Sequence, residues 1–139
     1  GTYPDRIAAG MALCGGTSLT DVSGLGKLPF WILHGTADRA VPIQRSKDVV
    51  QKLQDANTDS RLRYDWLKGG NHGTPARIFY LKKTYDWLFS HSLRDKGRPV
   101  NRNIDIGLPD IQRAYSDIRS GVADPEIIDE PSITSGHEF

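Results

Sequence analysis

Two short stretches of this 139-residue chain carry side chains suited to acid–base chemistry. One is His34-Gly35-Thr36-Ala37-Asp38, directly after the apolar run Leu28-Pro29-Phe30-Trp31-Ile32-Leu33. The other is Gly69-Gly70-Asn71-His72-Gly73, directly after Leu62-Arg63-Tyr64-Asp65-Trp66-Leu67. Each reads as a strand that ends in a loop presenting one titratable group. A triad base must reach its nucleophile through one ring nitrogen while a carboxylate holds the other. Asp38 and His72 are the residue types for the acid and the base of such a pair. Gly69 and Gly70 let the chain turn sharply at the strand end, and Gly73 keeps the far side of the imidazole uncrowded. Taken singly, each residue has a plainer reading. Asp38 suits a cap for the helix after Val41-Pro42, and His72 suits a surface histidine in a turn. The pairing favours chemistry, because only one helix and one strand separate the two residues.

The elements around them must bring both loops to one place. Ile7 to Leu13 is continuously apolar and short, as expected of a strand covered on both faces, and Gly15-Gly16 ends it. Thr17 to Gly26 is a polar connection, and Leu28 to Leu33 is a second buried strand. Pro42 to Asp55 reads as a helix, with Pro42 in a first helical position and Ile43, Ser46, Val50 and Leu53 on one face. Arg61 to Leu67 is a third strand. Ala76 to His91 is a second long helix, with Ile78, Leu81, Tyr85 and Leu88 as its core stripe and Trp87 off that stripe. Strands alternating with helices imply βαβ units and a parallel sheet. Such a sheet places its ligand site at the carboxyl ends of the strands. Asp38 and His72 both fall there and are expected within hydrogen-bond reach of each other.

Arg94-Asp95-Lys96-Gly97-Arg98-Pro99 reads as a charged linker that opens a second region, 94–139. Leu108, Ile111, Tyr115 and Ile118 have helical spacing, with Pro109 near the start and Gly121 just past the end, so a short helix is expected over Pro109 to Ser120. From Ala123 onward, Asp124, Glu126, Asp129 and Glu130 with Pro125 and Pro131 indicate an extended segment. At the other end, Tyr3-Pro4-Asp5-Arg6 reads as the close of a helix begun upstream, with Pro4 stopping it. A domain rarely opens on such a turn, so Gly1 is expected to be a cut rather than a native start.

Composition narrows the partners. A formal charge of +1 gives no reason to expect nucleic acid. No apolar run approaches the ~20 residues of a membrane span. Cys14 is the single cysteine, so the chain holds no internal disulfide and no cysteine-based zinc site. His91 and His137 have no partners at metal-ligand spacing. No cofactor is called for, and the compartment is left open.

The residues quoted above resemble the C-terminal part of an α/β-hydrolase. His34-Gly35-Thr36-Ala37-Asp38 with Val41-Pro42, then Gly70-Asn71-His72-Gly73, is similar to the esterase and predicted-peptidase branch, which includes phospholipase/carboxylesterase-like and feruloyl-esterase-like enzymes. The opening Tyr-Pro-Asp-Arg and the strand ending Leu13-Cys14-Gly15-Gly16 resemble the stretch just after that family's nucleophile helix. The resemblance covers roughly residues 1 to 92. It implies an α/β fold, with residues 1–93 supplying a three-stranded parallel portion of the hydrolase sheet, its flanking helices, and a partly helical C-terminal tail over 94–139. It also implies Asp38 as the triad acid and His72 as the base. His34, as part of the strand-end motif, is implied to pack or hydrogen-bond structurally.

The resembled family places its nucleophilic serine in Gly-x-Ser-x-Gly on a tight strand-to-helix turn. That motif does not occur here, and Ser18, Ser23 and Ser135 lack the flanking glycines and the preceding strand. Cys14 is a rival nucleophile, with Ala12 two before and Gly16 two after. The broken stretch behind it and its place one strand before the acid favour a small buried residue instead. The expectation is therefore a serine hydrolase acting on a carboxylic ester, or less readily a peptide, whose nucleophile and oxyanion hole lie upstream. The chain by itself is expected to be inactive and to pair with the N-terminal remainder of its protein or with a second copy. The alternative is a non-catalytic α/β binding or assembly module.

Overall fold

A computed structural model of the chain describes residues 2–18 and 20–120. Three strands, β1 (Gly10–Leu13), β2 (Phe30–Gly35) and β3 (Leu62–Leu67), run parallel in the order β1-β2-β3. The register sets Leu13 beside Leu33 and Gly35 beside Leu67, so all three strands finish at one edge. The extended segment from Ala123 onward, with Ser135 and His137, lies outside the described residues.

Side chains alternate across a strand, so the apolar run of β2 divides between two faces. Trp31 and Leu33 go to one face and pack with Leu67, Ile78, Trp87 and Ile111. Ile32 goes to the other and packs with Val22, Val49, Val50, Leu53 and Leu62. Both faces are covered, which is why the run reads as continuously apolar rather than alternating. Helix α1 (Gln44–Asp55) covers the second face and buries Ser46, Val49, Val50 and Leu53.

The other face is covered less simply than the sequence suggests. The single helix expected over 76–91 is two pieces: a 3-10 stretch, Pro75–Tyr80, and α2 (Lys82–Phe89). Leu81 between them is extended, at φ −104° and ψ 126°. This break rotates the second piece relative to the first. Trp87 is consequently fully buried against Trp31, with ring centroids 5.1 Å apart, while Tyr85 is left exposed. The stripe containing Tyr85 and the placing of Trp87 off it are both corrected by this rotation. Tyr3 to Arg6 also differs: Pro4 opens a 3-10 turn, Pro4–Arg6, because its fixed φ suits a first helical position.

The stretch read as a charged linker is fastened to the sheet. Arg98 donates to the carbonyls of Pro4, Ile7, Ala8 and Lys27, and Arg61 donates to those of Gly97 and Gly26. Arg102 donates to the carbonyls of Ser60 and Leu62 at the start of β3. The guanidinium fork suits such multiple acceptance by carbonyl oxygens. Val100, between Arg98 and Arg102, and Ile106 beyond them enter the core, and Ile111 follows from α3 (Leu108–Ser120).

Candidate active site

The loops that follow β2 and β3 are built against each other. Thr36 N–H donates to the Leu67 carbonyl (3.0 Å) and Ala37 N–H to the Gly70 carbonyl (2.9 Å). Gly69 N–H donates to Thr36 Oγ1 at 2.8 Å. Gly35 faces the Gly70 carbonyl so closely that any Cβ would collide with backbone. Gly69 sits at φ +80°, a left-handed conformation that glycine adopts without a steric penalty. These residues bring the two loops into contact before the side chains of Asp38 and His72 are considered.

Asp38 is held at both oxygens. Its Oδ1 accepts from the N–H groups of Ala40 and Val41, each at 2.8 Å. Its Oδ2 lies 2.8 Å from His72 Nδ1. A carboxylate can only accept, so Nδ1 carries the imidazole proton and Nε2 keeps its lone pair. Asp38 has a fully buried side chain, whereas that of His72 is 51% exposed. Burial opposes the ionisation of Asp38. Hydrogen bonds from Val41, His72 and Ala40 outweigh it and hold the carboxyl well below the usual carboxylate range.

The His72 loop has its own lock. Asn71 Oδ1 accepts from Gly73 N–H (3.0 Å) and Thr74 N–H (3.2 Å), while Asn71 N–H donates to Thr74 Oγ1 (3.0 Å). Such local side-chain bonds stabilise a turn where regular structure stops. His72 stands inside this turn, between the end of β3 and Pro75.

Other histidines and the cysteine take different places. His34 is fully buried beneath Asp38, with Nε2 3.1 Å from Asp38 Oδ2 and 2.9 Å from the Val41 carbonyl. His91 uses both ring nitrogens structurally: Nδ1 donates to the Trp87 carbonyl (2.8 Å) and Nε2 accepts from Asn101 N–H (2.9 Å). Cys14 follows β1 at φ +50°, is 7% exposed, and donates from Sγ to the His72 carbonyl at 3.3 Å. Burial pushes its thiol up to about 11, and the Asp38 carboxylate adds to the effect. The residue is thus a buried thiol under the pair.

Donor atoms of Cys14, Asp38 and His72 lie within 4.8 Å of one another. The Nδ1 to Oδ2 spacing of 2.8 Å is that of a hydrogen bond. Ligands around tetrahedral zinc stand about 3.3 Å apart, given bonds of ~2.0 Å. The arrangement therefore reads as an acid–base pair with a thiol beneath it. Ser23 opens the 3-10 turn Ser23–Lys27, and its N–H donates to Asp21 Oδ1.

Ser46 was the part of the site least visible in the sequence as a site residue. It fell on the apolar stripe of α1, and a hydroxyl at a buried stripe position is the signal that a polar partner awaits it. Its Oγ bridges His34 Nδ1 (2.7 Å) and the Gly15 carbonyl (2.5 Å).

No protein-family model matches the chain, and no curated protein matches it. A solved structure does: the crystal structure of a thermostable esterase, at 27% sequence identity and a TM-score of 0.57. The match covers 66% of this chain. This is a hydrolase-like α/β fold. The aligned part amounts to 26% of the esterase chain, so this chain spans about a quarter of the length of that structure.

Proposed function

We propose that this chain supplies the acid and the base of a serine hydrolase that cleaves a carboxylic ester through an acyl-enzyme. In this reading the serine and the oxyanion hole come from outside these 139 residues. The serine attacks the ester carbonyl as His72 Nε2 takes its proton. The same nitrogen returns the proton to the leaving alcohol, and Asp38 holds the tautomer and stabilises the imidazolium. Water then repeats the sequence on the acyl-enzyme. The chemistry calls for no cofactor.

The observation that carries this reading is the orientation of His72. Nδ1 is committed to a buried carboxylate at 2.8 Å, and the ring is otherwise half exposed at the carboxyl edge of the sheet. The esterase likeness favours an ester over a peptide and fits the esterase and predicted-peptidase branch. The outer edge of β1 suits the strand that would carry the nucleophile, since among the described residues β1 pairs with β2 alone. The proposed occupant of that edge is the N-terminal remainder of the same protein.

A longer chain carrying the natural upstream sequence tests this. It should contain Gly-x-Ser-x-Gly, label with a fluorophosphonate, and hydrolyse p-nitrophenyl acetate. His72→Ala should lower kcat by about 10³-fold or more. A longer chain that neither labels nor turns over ester, or one indifferent to His72→Ala, would reject the proposal in favour of a non-catalytic module.

A further inference from the structure

Three side chains with different donor atoms converge where the strands end. One donor atom from each of Cys14, Asp38 and His72 lies within 4.8 Å of the other two. Cys14 follows β1, Asp38 follows β2 and His72 follows β3, so the sheet itself assembles the trio. Asp38 is anchored through Oδ1 by the N–H groups of Ala40 and Val41, which leaves Oδ2 aimed at His72. A thiol is a weak donor, so the bond from Cys14 to the His72 carbonyl is readily given up. The half-exposed His72 ring leaves an approach from solvent. Thiolate, imidazole and carboxylate together suit a borderline-soft ion such as Zn²⁺, whereas Mg²⁺ and Ca²⁺ take oxygen ligands. Three protein ligands and one water make an open tetrahedral site. With bonds of ~2.0 Å to nitrogen and oxygen and ~2.3 Å to sulfur, the donors would stand about 3.3–3.5 Å apart. Asp38 and His72 would part by about 0.5 Å and the thiol would close by about 1.3 Å at most.

We propose that Cys14, Asp38 and His72 form an inhibitory site for a thiophilic divalent cation such as Zn²⁺. The ion forms bonds to Cys14 Sγ, Asp38 Oδ2 and His72 Nδ1 and keeps one water. The hydrogen bond between Nδ1 and Oδ2 breaks. A coordinating thiol gives up its proton, which goes to solvent. The imidazole proton leaves Nδ1 and is replaced from water at Nε2, so the ring stays neutral and one proton is released in all. No group is oxidised or reduced. The consequence lies at Nε2: its lone pair is now taken by a proton, and the ring can no longer accept one from a nucleophile. Without the ion the trio is an acid–base pair over a thiol; with it, no base is left. The inhibition rests on the hydrolase reading, whereas the binding does not.

Cys14 is the single cysteine of the 139-residue chain, so a thiolate-to-Cd²⁺ charge-transfer band in the ultraviolet reports this site and no other thiol. Cd²⁺ is titrated into this chain, or, if it precipitates, into the longer one, read there as the difference from Cys14→Ala. The band should saturate at one equivalent with one proton released per ion. Zn²⁺ should displace it, and Mg²⁺ and Ca²⁺ should not. Cys14→Ala should abolish it. His72→Ala and Asp38→Asn should each weaken Cd²⁺ binding by about 10–100-fold or more. His72→Ala alters a half-exposed side chain, so it decides the question if the buried positions do not tolerate change. Absence of the band in the folded parent, or parent-like affinity in His72→Ala, overturns the proposal. In the longer chain Zn²⁺ should inhibit hydrolysis of p-nitrophenyl acetate with the midpoint seen in binding. Cys14→Ala, measured against its own metal-free rate, should be at least about 10-fold less sensitive. Full turnover with the site saturated overturns the inhibitory role. A longer chain with no ester turnover at all would instead count against the hydrolase reading, and the Cd²⁺ titration would still decide the site.

Discussion

Gly35 at the end of β2 lies against the carbonyl of Gly70 beyond β3, with no room for a side chain between them. This contact sets how near the Asp38 and His72 loops stand. Gly35→Ala forces a methyl group into backbone, which cannot yield as a flexible side chain would. The expected cost is about 1–3 kcal/mol in chemical denaturation. The Asp38–His72 hydrogen bond should also lengthen, seen as an upfield move of the His72 Nδ1 proton. Parent-like stability together with an unchanged Nδ1 resonance would mean the loops have slack that the structure does not show.

Asp38→Asn keeps the size of the side chain and removes its charge. The amide cannot stabilise an imidazolium, and it presents a donor or a weak acceptor to Nδ1. In a longer chain that hydrolyses p-nitrophenyl acetate as proposed, kcat should fall by about 10³–10⁴-fold, with a smaller effect on KM. The loss of the carboxylate also changes the pH dependence of stability. Asp38 titrates lower folded than unfolded, so its contribution is present above the ordinary 3.8 and is lost as pH falls through its folded value. The parent should thus lose stability on acidification more steeply than Asp38→Asn, which thermal melts between neutral and acid pH can measure.

Cys14 should behave as an inert thiol. With its titration pushed up to about 11, roughly three thiols in ten thousand are ionised at pH 7.5. Burial hinders access further. Iodoacetamide should modify the native chain far more slowly than the unfolded one. Rapid native-state labelling would reveal an activated thiol and restore Cys14 as a nucleophile.

Among the described residues β1 pairs with β2 alone and leaves its other edge open, and exposed Tyr3 and Ile7 lie just before it. Unpaired strand edges template pairing with other chains. The chain alone should therefore self-associate or precipitate at micromolar concentration, and should show no ester turnover above a thiol background. Sedimentation velocity reports the first and p-nitrophenyl acetate the second. A monomer that unfolds cooperatively, or genuine turnover surviving Cys14→Ala, would contradict this picture.

His91 links stability to pH near neutrality. Burial lowers its titration below the ordinary 6.5, against the opposing pull of its bond to the Trp87 carbonyl and of Asp95. The unfolded chain then binds more protons than the folded one over the window just below 6.5, so stability rises with pH there. The contribution is present above 6.5 and is lost as pH falls toward the folded value. Denaturant midpoints at pH 5.5 and 7.5 should differ more in the parent than in His91→Gln. Equal pH dependence in the two would remove His91 from this account.

The sequence by itself determined the three parallel strands, a helix over Pro42–Asp55 that the structure starts at Gln44, a helix over Pro109–Ser120 that it starts at Leu108, and the two strand-end loops. These are local properties. Apolar runs, Gly-Gly turns, and Asp or His just past a strand are written within a few residues of where they act. The tertiary structure decided which distant groups meet. That Asp38 Oδ2 meets His72 Nδ1, and that Ser46 joins His34 to the Gly15 carbonyl, depends on the register of β1, β2 and β3 and on the seating of α1. No local pattern encodes such a register. The break at Leu81 was hidden for a related reason: Ala76 to His91 has a helical pattern throughout, and the placing of Trp87 against Trp31 that accompanies the break is a tertiary contact. The arginines of the 94–102 stretch read as solvated charge, because a guanidinium bound to carbonyls and one facing water look alike until the fold places the carbonyls beside it.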